Sequence, residues 1–321
     1  MKTNYLNHQR IILFVFTLFL TACDQEVIET PKPIDAFGVE FKDGILHFAS
    51  EEAYAALVES QSSQDRADFM AFLNQRNGYT SLRKAYTTNG RSSAARTFST
   101  AEQEIVDSND LLSSILNEDG LVSIGDYYFK VNLATETVYA LETRFENEIG
   151  DLNHENEMNR NIMIFSTDDD VLDLLASGSK GTSNGRTKLF CGESGARGKK
   201  DDGFDASPFD ENYRHDNKIV YQKAGVYFSL QAKTKVQYKG WTGLWGDGGP
   251  VYDQRISYYV KYEPKCKGVT EKSGIKEDDG SSNELNYRPY ESTRGLHKYR
   301  YEASYFGAGY WSREYVIADG F

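Results

Sequence analysis

The stretch "VYFSLQAKTKVQYK", residues 226–239, alternates between two kinds of side chain with a period of two. One face of this segment, if extended, carries Val226, Phe228, Leu230, Ala232, Thr234, Val236 and Tyr238. The opposite face carries Lys233, Lys235, Gln237 and Lys239. Because successive side chains of a strand point to opposite faces of its sheet, the pattern predicts a long strand with one buried face.

The same period recurs further along the chain. It is repeated by Ile256, Tyr258, Val260 and Tyr262, and again by Tyr299, Tyr301, Ala303 and Tyr305. A further strand is predicted near residues 311–317. Few helix signals follow residue 190, and glycine-bearing loops separate the strands, so residues 188–321 are predicted to form an antiparallel β-sandwich-like domain.

The first half of the chain mixes helix and strand signals. Residues 39–50, "VEFKDGILHFAS", predict a hairpin, Ser50 predicts a helix N-cap, and Ser99 with Glu102 fits a capping box. Short strands are predicted from Gly120 onward. The fold class is therefore α+β, with a small α+β domain at residues 37–180 and a boundary in the Gly- and Ser-rich residues 176–186.

Three segments of this half are similar to one known group of proteins. They are "LHFASEEAYAALVES", "NGYTSLRKAY" and "DLLSSILNEDGLVSIGDYYFKV". Together they resemble the N-terminal part of uncharacterised Bacteroidota lipoproteins, over roughly residues 40–145. The resemblance implies a fold and a cell-envelope address, and it supplies no catalytic or binding residue.

Residues 1–22 have the pattern of a signal peptide. Two basic residues, Lys2 and Arg10, precede the apolar run "IILFVFTLFL", and no acidic residue occurs in residues 1–22. The alternative is a short buried core helix. The run is about half of the ~18 apolar residues that a spanning helix needs, and no later segment approaches that length, so no membrane span is expected in the mature chain.

The sequence Leu20-Thr21-Ala22-Cys23 resembles the lipobox of bacterial lipoproteins. The resemblance implies cleavage after Ala22 and lipidation of Cys23, which would anchor the chain to a membrane. Residues 23–36 then form an acidic tether that contains proline. An acidic cluster after a lipidated cysteine is similar to a Bacteroidota surface-export signal, which implies the outer membrane and the cell surface. The alternative is an ordinary linker that faces the periplasm.

The acidic net charge argues against one class of ligand. The net charge of −12 becomes −14 without Lys2 and Arg10, which argues against binding to nucleic acid.

Cys191 and Cys266 remain after Cys23 is assigned to lipid, and in an exported chain they predict a disulfide. Closing their loop would contribute about 4 kcal/mol. A reactive or metal-binding thiol is the competing interpretation.

No motif for catalysis, a metal or a cofactor is complete. "CGESGARGKK", residues 191–200, misses both the P-loop and the nucleophile-elbow spacing. His154 and His215 lie in polar sequence and are expected to be solvated. The acidic run Asp168–Asp170 lacks EF-hand spacing and is expected to cap a helix. We therefore predict no cofactor and no metal site.

The predicted function is a non-enzymatic surface binding or adhesion module for a glycan or protein ligand. The alternatives are a hydrolase of extracellular polymers and a structural envelope component. The ligand-binding candidates are Trp241 and Trp245 in "YKGWTGLWGDGGPVYD", residues 238–253. Each indole either presents a flat face to a ligand or folds back to plug the sandwich. Trp245, further from the strand, is expected to be the exposed one.

Lipidation is tested by metabolic labelling with palmitate. The wild-type chain should incorporate the label, and Cys23→Ala should not, because the acceptor sulfur is gone. Cys266→Ala is the matched control and should stay labelled. Label that persists on Cys23→Ala would show that Cys23 is not the anchor.

Overall fold

The computed structural model describes residues 38–60, 63–76, 78–89, 97–153, 159–177, 193–247, 253–278, 280 and 282–321. The signal peptide, Cys23, the tether, His154 and Cys191 lie outside the described residues. So does most of the predicted boundary at residues 176–186. The corresponding predictions, including the two domain ranges, stay predictions.

The described residues are rich in strands and contain a few helices. The strands are β1 (Val39–Lys42), β2 (Ile45–Phe48), β3 (Leu121–Ile124), β4 (Tyr127–Asn132), β5 (Thr137–Glu142), β6 (Ile162–Ser166), β7 (Lys200–Ala206), β8 (Tyr213–Lys223), β9 (Phe228–Lys239), β10 (Trp245–Asp247), β11 (Arg255–Pro264), β12 (Thr270–Glu277), β13 (Glu284–Ser292), β14 (Leu296–Gly307), β15 (Tyr310–Trp311) and β16 (Tyr315–Asp319). The helices are α1 (Glu51–Val58), α2 (Ser63–Gln75), α3 (Leu82–Asn89), α4 (Thr100–Ser108), α5 (Asp110–Ile115) and α6 (Asp173–Ser177), with a 3-10 segment at Thr143–Asn153.

The first sheet has the order β1-β2-β3-β4-β5-β6 and is antiparallel except for the β2–β3 pair. Its β1–β2 hairpin confirms the hairpin predicted for residues 39–50, and Asp43 and Gly44 in its turn have positive φ. The predicted caps are confirmed too: the Ser50 side chain accepts from the Ala53 N–H, and Ser99 forms the capping box with Glu102.

The helix that the capping box opens ends at Asn109, and a second helix follows directly. This residue has φ −134° and ψ 90°, which is extended, and its side chain accepts a hydrogen bond from the Leu112 N–H at 2.9 Å. The Asn109 amide also donates to Gln222 Oε1 on β8 at 3.0 Å. Asn109 thus ends α4, caps α5 and ties both helices to the second half of the chain.

Two further sheets pack as a sandwich. One has the order β10-β9-β8-β7, with β13 also paired to β9, and the other has the order β12-β11-β14-β15, with β16 paired to β14. Their facing sides share one apolar core that includes Leu230, Val260 and Tyr301. The alternation predicted for β9, β11 and β14 is confirmed, although Tyr238 at the end of β9 is 41% exposed.

The β8–β9 hairpin reaches into the core of the first sheet. Ala224, Val226 and Tyr227 at its tip are fully buried, and they pack with residues of β3–β5 and helices α1–α5. Gly225 at the same tip donates its N–H to the Thr167 carbonyl at 3.0 Å and accepts from the Val171 N–H at 3.2 Å. One hairpin therefore belongs to the sandwich at its base and to the first core at its tip.

Buried polar contacts also join the two halves of the chain, at what we call the junction. Glu291 on β13 is buried, accepts a hydrogen bond from the Tyr227 hydroxyl and pairs with Arg66 of α2 at 2.5 Å. Asp170 accepts from the Gly295 N–H and lies 3.5 Å from the Lys265 ammonium, both groups being nearly inaccessible. The helix-cap role expected for the acidic run at 168–170 is therefore wrong for Asp170, which binds the β13–β14 turn instead.

All described residues belong to one compact unit.

Among the described residues, the helices are too short or too polar to cross a membrane.

Gly225→Ala tests the packing of the hairpin tip. A Cβ at this position would lie 2.7 Å from Val138 Cγ2 and 2.9 Å from Val171 Cγ2, and the backbone has φ +71°. Left-handed strain and overpacking together should lower the free energy of unfolding by about 2 to 5 kcal/mol in urea.

Gly243→Ala is the matched control for this substitution. Gly243 has φ +78° with open space around its Cβ position, so it carries the backbone strain alone, about 1 to 2 kcal/mol. Equal losses for the two variants would show that the tip is not tightly packed.

Candidate functional site

Two hairpin turns meet at one end of the second sheet. The β7–β8 turn, residues 207–212, lies beside the β9–β10 turn, residues 240–244, because the Lys239 N–H donates to the Asn212 carbonyl at 2.8 Å. The second turn is closed by a hydrogen bond from the Gly240 N–H to the Leu244 carbonyl at 3.0 Å. We call this region the hairpin end.

The hairpin end carries large apolar side chains in solvent. Trp241 is 98% exposed, Phe209 81% and Leu244 73%. Tyr213 and Tyr238 lie beneath them as a cross-strand pair, with ring centroids 5.1 Å apart. The exposed side chains add little to folding, so this surface is available to a ligand.

The expectation that Trp245 is the exposed indole is wrong, because the chain turns back after Trp241. Trp245 begins β10 and pairs with Lys239 of β9, which returns its ring to the sheet. There the Arg214 guanidinium lies over the Trp245 ring at 4.3 Å and over the Phe204 ring at 3.8 Å. Trp245 is consequently half-buried, and Trp241 is the free platform.

A groove of about 600 Å³ lies between helices α3–α5 and the outer face of the second sheet. We call it the outer groove. Its lining residues are Arg83, Tyr86, Thr87, Val106, Asp107, Ser108, Asp110, Asp202, Asp216, Lys218, Lys233, Lys235, Gln237, Glu284, Asn286 and Arg288. Five of these side chains are basic and five are acidic, so the lining carries many charges but no net formal charge.

Most of the basic groups in the outer groove are held by carboxylates. Lys218 lies 3.0 Å from Glu104, Lys233 2.9 Å from Glu284 and Lys235 2.6 Å from Asp247. Arg288 pairs with Asp110 at 3.0 Å and donates to the Ser108 carbonyl at 2.9 Å, while its buried Nε has no hydrogen-bond acceptor among the described residues.

Asp216 in the outer groove is partly buried, unlike the exposed Asp107, the other acid of the groove whose carboxylate has no partner among the described residues. It lies on β8 opposite Lys235 of β9, and no described residue gives its carboxylate a hydrogen bond or an ion pair within 4 Å. Burial raises the pKa of Asp216, although the charges of Arg214, Lys233 and Lys218 lower it. A partly buried acceptor that bonds to no described residue therefore lies among several cations.

The expectation that His215 is a solvated loop residue is wrong. It lies on β8 facing the sandwich interior, is fully buried and stacks on Tyr310 with ring centroids 4.2 Å apart. Its Nε2 is 3.0 Å from the Gly307 carbonyl oxygen. The ring therefore lies inside the sandwich, and this burial lowers the pKa of His215.

The two cysteines predicted to form a disulfide can be placed only in part. Cys266 is described and Cys191 is not, so their disulfide stays a prediction. The Cys266 N–H donates to Glu193 Oε2 at 2.9 Å, which brings the chain two residues after Cys191 to Cys266. The described residues contain no group of three metal-binding side chains.

The outer groove itself was not predicted from the sequence. The signal was present, since Lys233, Lys235 and Gln237 form a polar face on the long strand. A solvated face shows the same pattern, and only the fold reveals that helices cover this one.

No protein-family model matches the chain, and the comparison with curated proteins found no match. Among solved structures, the chain is similar to the crystal structure of a DUF4848 family protein from Bacteroides thetaiotaomicron. The TM-score is 0.19 and the identity 11%, over 87% of this chain and 99% of that chain. A TM-score this low carries no argument about function, and lipoprotein status stays a prediction.

Proposed function

We propose that this chain is a non-enzymatic binding protein of the cell envelope, anchored through Cys23, whose hairpin end contacts a glycan or protein ligand at the cell surface. The observation that carries the proposal is the 98% exposure of Trp241 at the tip of a short, closed turn. A rigid aromatic side chain offers a large contact area and loses little conformational entropy on binding.

The neighbouring side chains support this assignment. Phe209 and Leu244 extend the apolar surface, while Lys239 at its edge supplies a donor. An apolar centre with a polar rim is the usual anatomy of a recognition surface.

A disulfide between Cys191 and Cys266 would suit the proposed envelope location. The contact between Glu193 and Cys266 favours it, because it holds the two chain segments together. Such a bond would stabilise a chain that faces an oxidising compartment.

The rival function is hydrolysis of an extracellular polymer, and a structural envelope role is the third candidate. Hydrolysis of glycosides uses two carboxyl groups with different pKa values on either side of the bond that is cut. In the outer groove only Asp216 has a raised pKa without a partner among the described residues, and Asp110, whose pKa is lowered, is engaged by Arg288. Because the Asp110 carboxylate is held by Arg288, we prefer binding over catalysis.

Trp241→Ala tests the role of the hairpin end. The full-length protein would be screened on glycan and protein arrays, and the affinity of each hit measured for wild type and variant. Loss of the indole should weaken binding about tenfold or more, as for a central interface aromatic. The melting temperature should stay unchanged, because the side chain is almost fully exposed.

Trp311→Ala is the matched control. Trp311 is 48% exposed on the other sheet, where its ring contacts Phe306 at 5.3 Å. Its loss should leave the affinity unchanged. Binding that survives Trp241→Ala, or that both variants reduce equally, would contradict the proposal.

A further inference from the structure

The outer groove has the donors and acceptors of a ligand site that is distinct from the hairpin end. Its volume of about 600 Å³ lies within the usual range for small-molecule sites, about 300–1,000 Å³. One wall comes from helices α3–α5 and the other from strands β7, β8, β9 and β13, so both walls are regular structure. Helices and strands position binding side chains more precisely than loops do.

Several polar groups in the groove have unused hydrogen-bonding capacity. The Asp216 carboxylate accepts from no described residue. Gln237 uses its Oε1 to accept from Arg214 at 2.7 Å, and Asn286 uses its Oδ1 to accept from Gln231 at 2.8 Å. The amide N–H groups of these two side chains donate to no described residue.

The charge arrangement selects among classes of ligand. An anion would meet the Asp216 carboxylate and would have to displace Glu104, Glu284 or Asp247 from their lysines. A cation would meet the cationic groups that surround Asp216. An uncharged chain of hydroxyl groups avoids both penalties, because each hydroxyl can donate to Asp216 and accept from an amide or a lysine.

The end of the groove adds an aromatic element. Gln237 lines the groove and bonds to Arg214, which lies between the rings of Trp245 and Phe204. These rings give the polar groove an apolar rim on the outer face of the sheet, 59% of Phe204 being exposed. Sugar rings present both hydroxyl edges and apolar faces, which suits this combination.

We propose that the outer groove binds an uncharged oligosaccharide, with the carboxylate of Asp216 accepting hydrogen bonds from its hydroxyl groups. The site is independent of the hairpin end, and Asp216 is a binding residue. Trp245 borders the site, and its partly covered ring is the second contact.

The test measures binding of malto-, cello-, manno- and xylohexaose to the full-length protein in mild detergent by titration calorimetry. Tetragalacturonate serves as the anionic comparator. At least one neutral hexasaccharide should bind, and Asp216→Asn should weaken it about tenfold or more, since a hydrogen bond to a charged acceptor is lost. Glu302→Gln is the control, because Glu302 pairs with Arg300 on the third sheet.

Two more variants separate the possible outcomes. Trp241→Ala separates the two sites, because a hexasaccharide whose affinity falls in Trp241→Ala and not in Asp216→Asn is bound at the hairpin end, which overturns the present proposal. Lys235→Met removes a partly buried donor from the groove and should weaken binding several-fold. If Asp216→Asn does not fold, unchanged affinity in Lys235→Met overturns the proposal. Absence of binding to every neutral hexasaccharide, binding of tetragalacturonate alone, or unchanged affinity in Asp216→Asn would overturn the proposal.

Discussion

The insertion of the β8–β9 hairpin into the core of the first sheet is the constraint on which the rest of the structure depends. The tip residues Val226 and Tyr227 bury their side chains among those of β3–β5 and the helices, while the base of the same strands forms the sandwich. Burial of one large apolar side chain contributes about 1.5–3 kcal/mol, so the tip couples the two cores strongly. Gly225 is required there because a Cβ would meet Val138 and Val171.

The outer groove follows from this attachment. Its two walls belong to different halves of the chain, and the hairpin holds them at a fixed separation. Contacts across the junction then set the groove's electrostatics, since Glu104 of α4 pairs with Lys218 of β8 and Asp110 of α5 with Arg288 of β13. Acidic side chains on the helices thus compensate the basic face of the sheet.

Much of the fold could be predicted from the sequence, because local patterns determine it. The period of two in β9, β11 and β14 predicted the buried faces of the sandwich, and the caps at Ser50 and Ser99 were correct. Val226 fits the same pattern as β9 and yet lies in a different core. Periodicity identifies a buried face without identifying what covers it.

The candidate sites were harder to predict for the same reason. Trp241 and Trp245 were recognised as a pair, but their exposures were assigned the wrong way round, because exposure depends on how β10 returns to pair with β9. His215 looked like a loop residue, although strand pairing places it inside the sandwich. Asp216 could not be singled out among 48 acidic residues, since only the fold shows which carboxylates are both partly buried and without a partner.

Native-state hydrogen exchange at the junction tests the central claim most directly. The amides of Gly225 and Val171 bond across the junction, and the amide of Phe129 lies in the middle of the first sheet. If the hairpin tip is an integral part of the first core, all three amides should exchange only through global unfolding, with the same free energy of opening. Exchange of Gly225 and Val171 through a local opening of much lower free energy, with Phe129 still protected, would contradict the account.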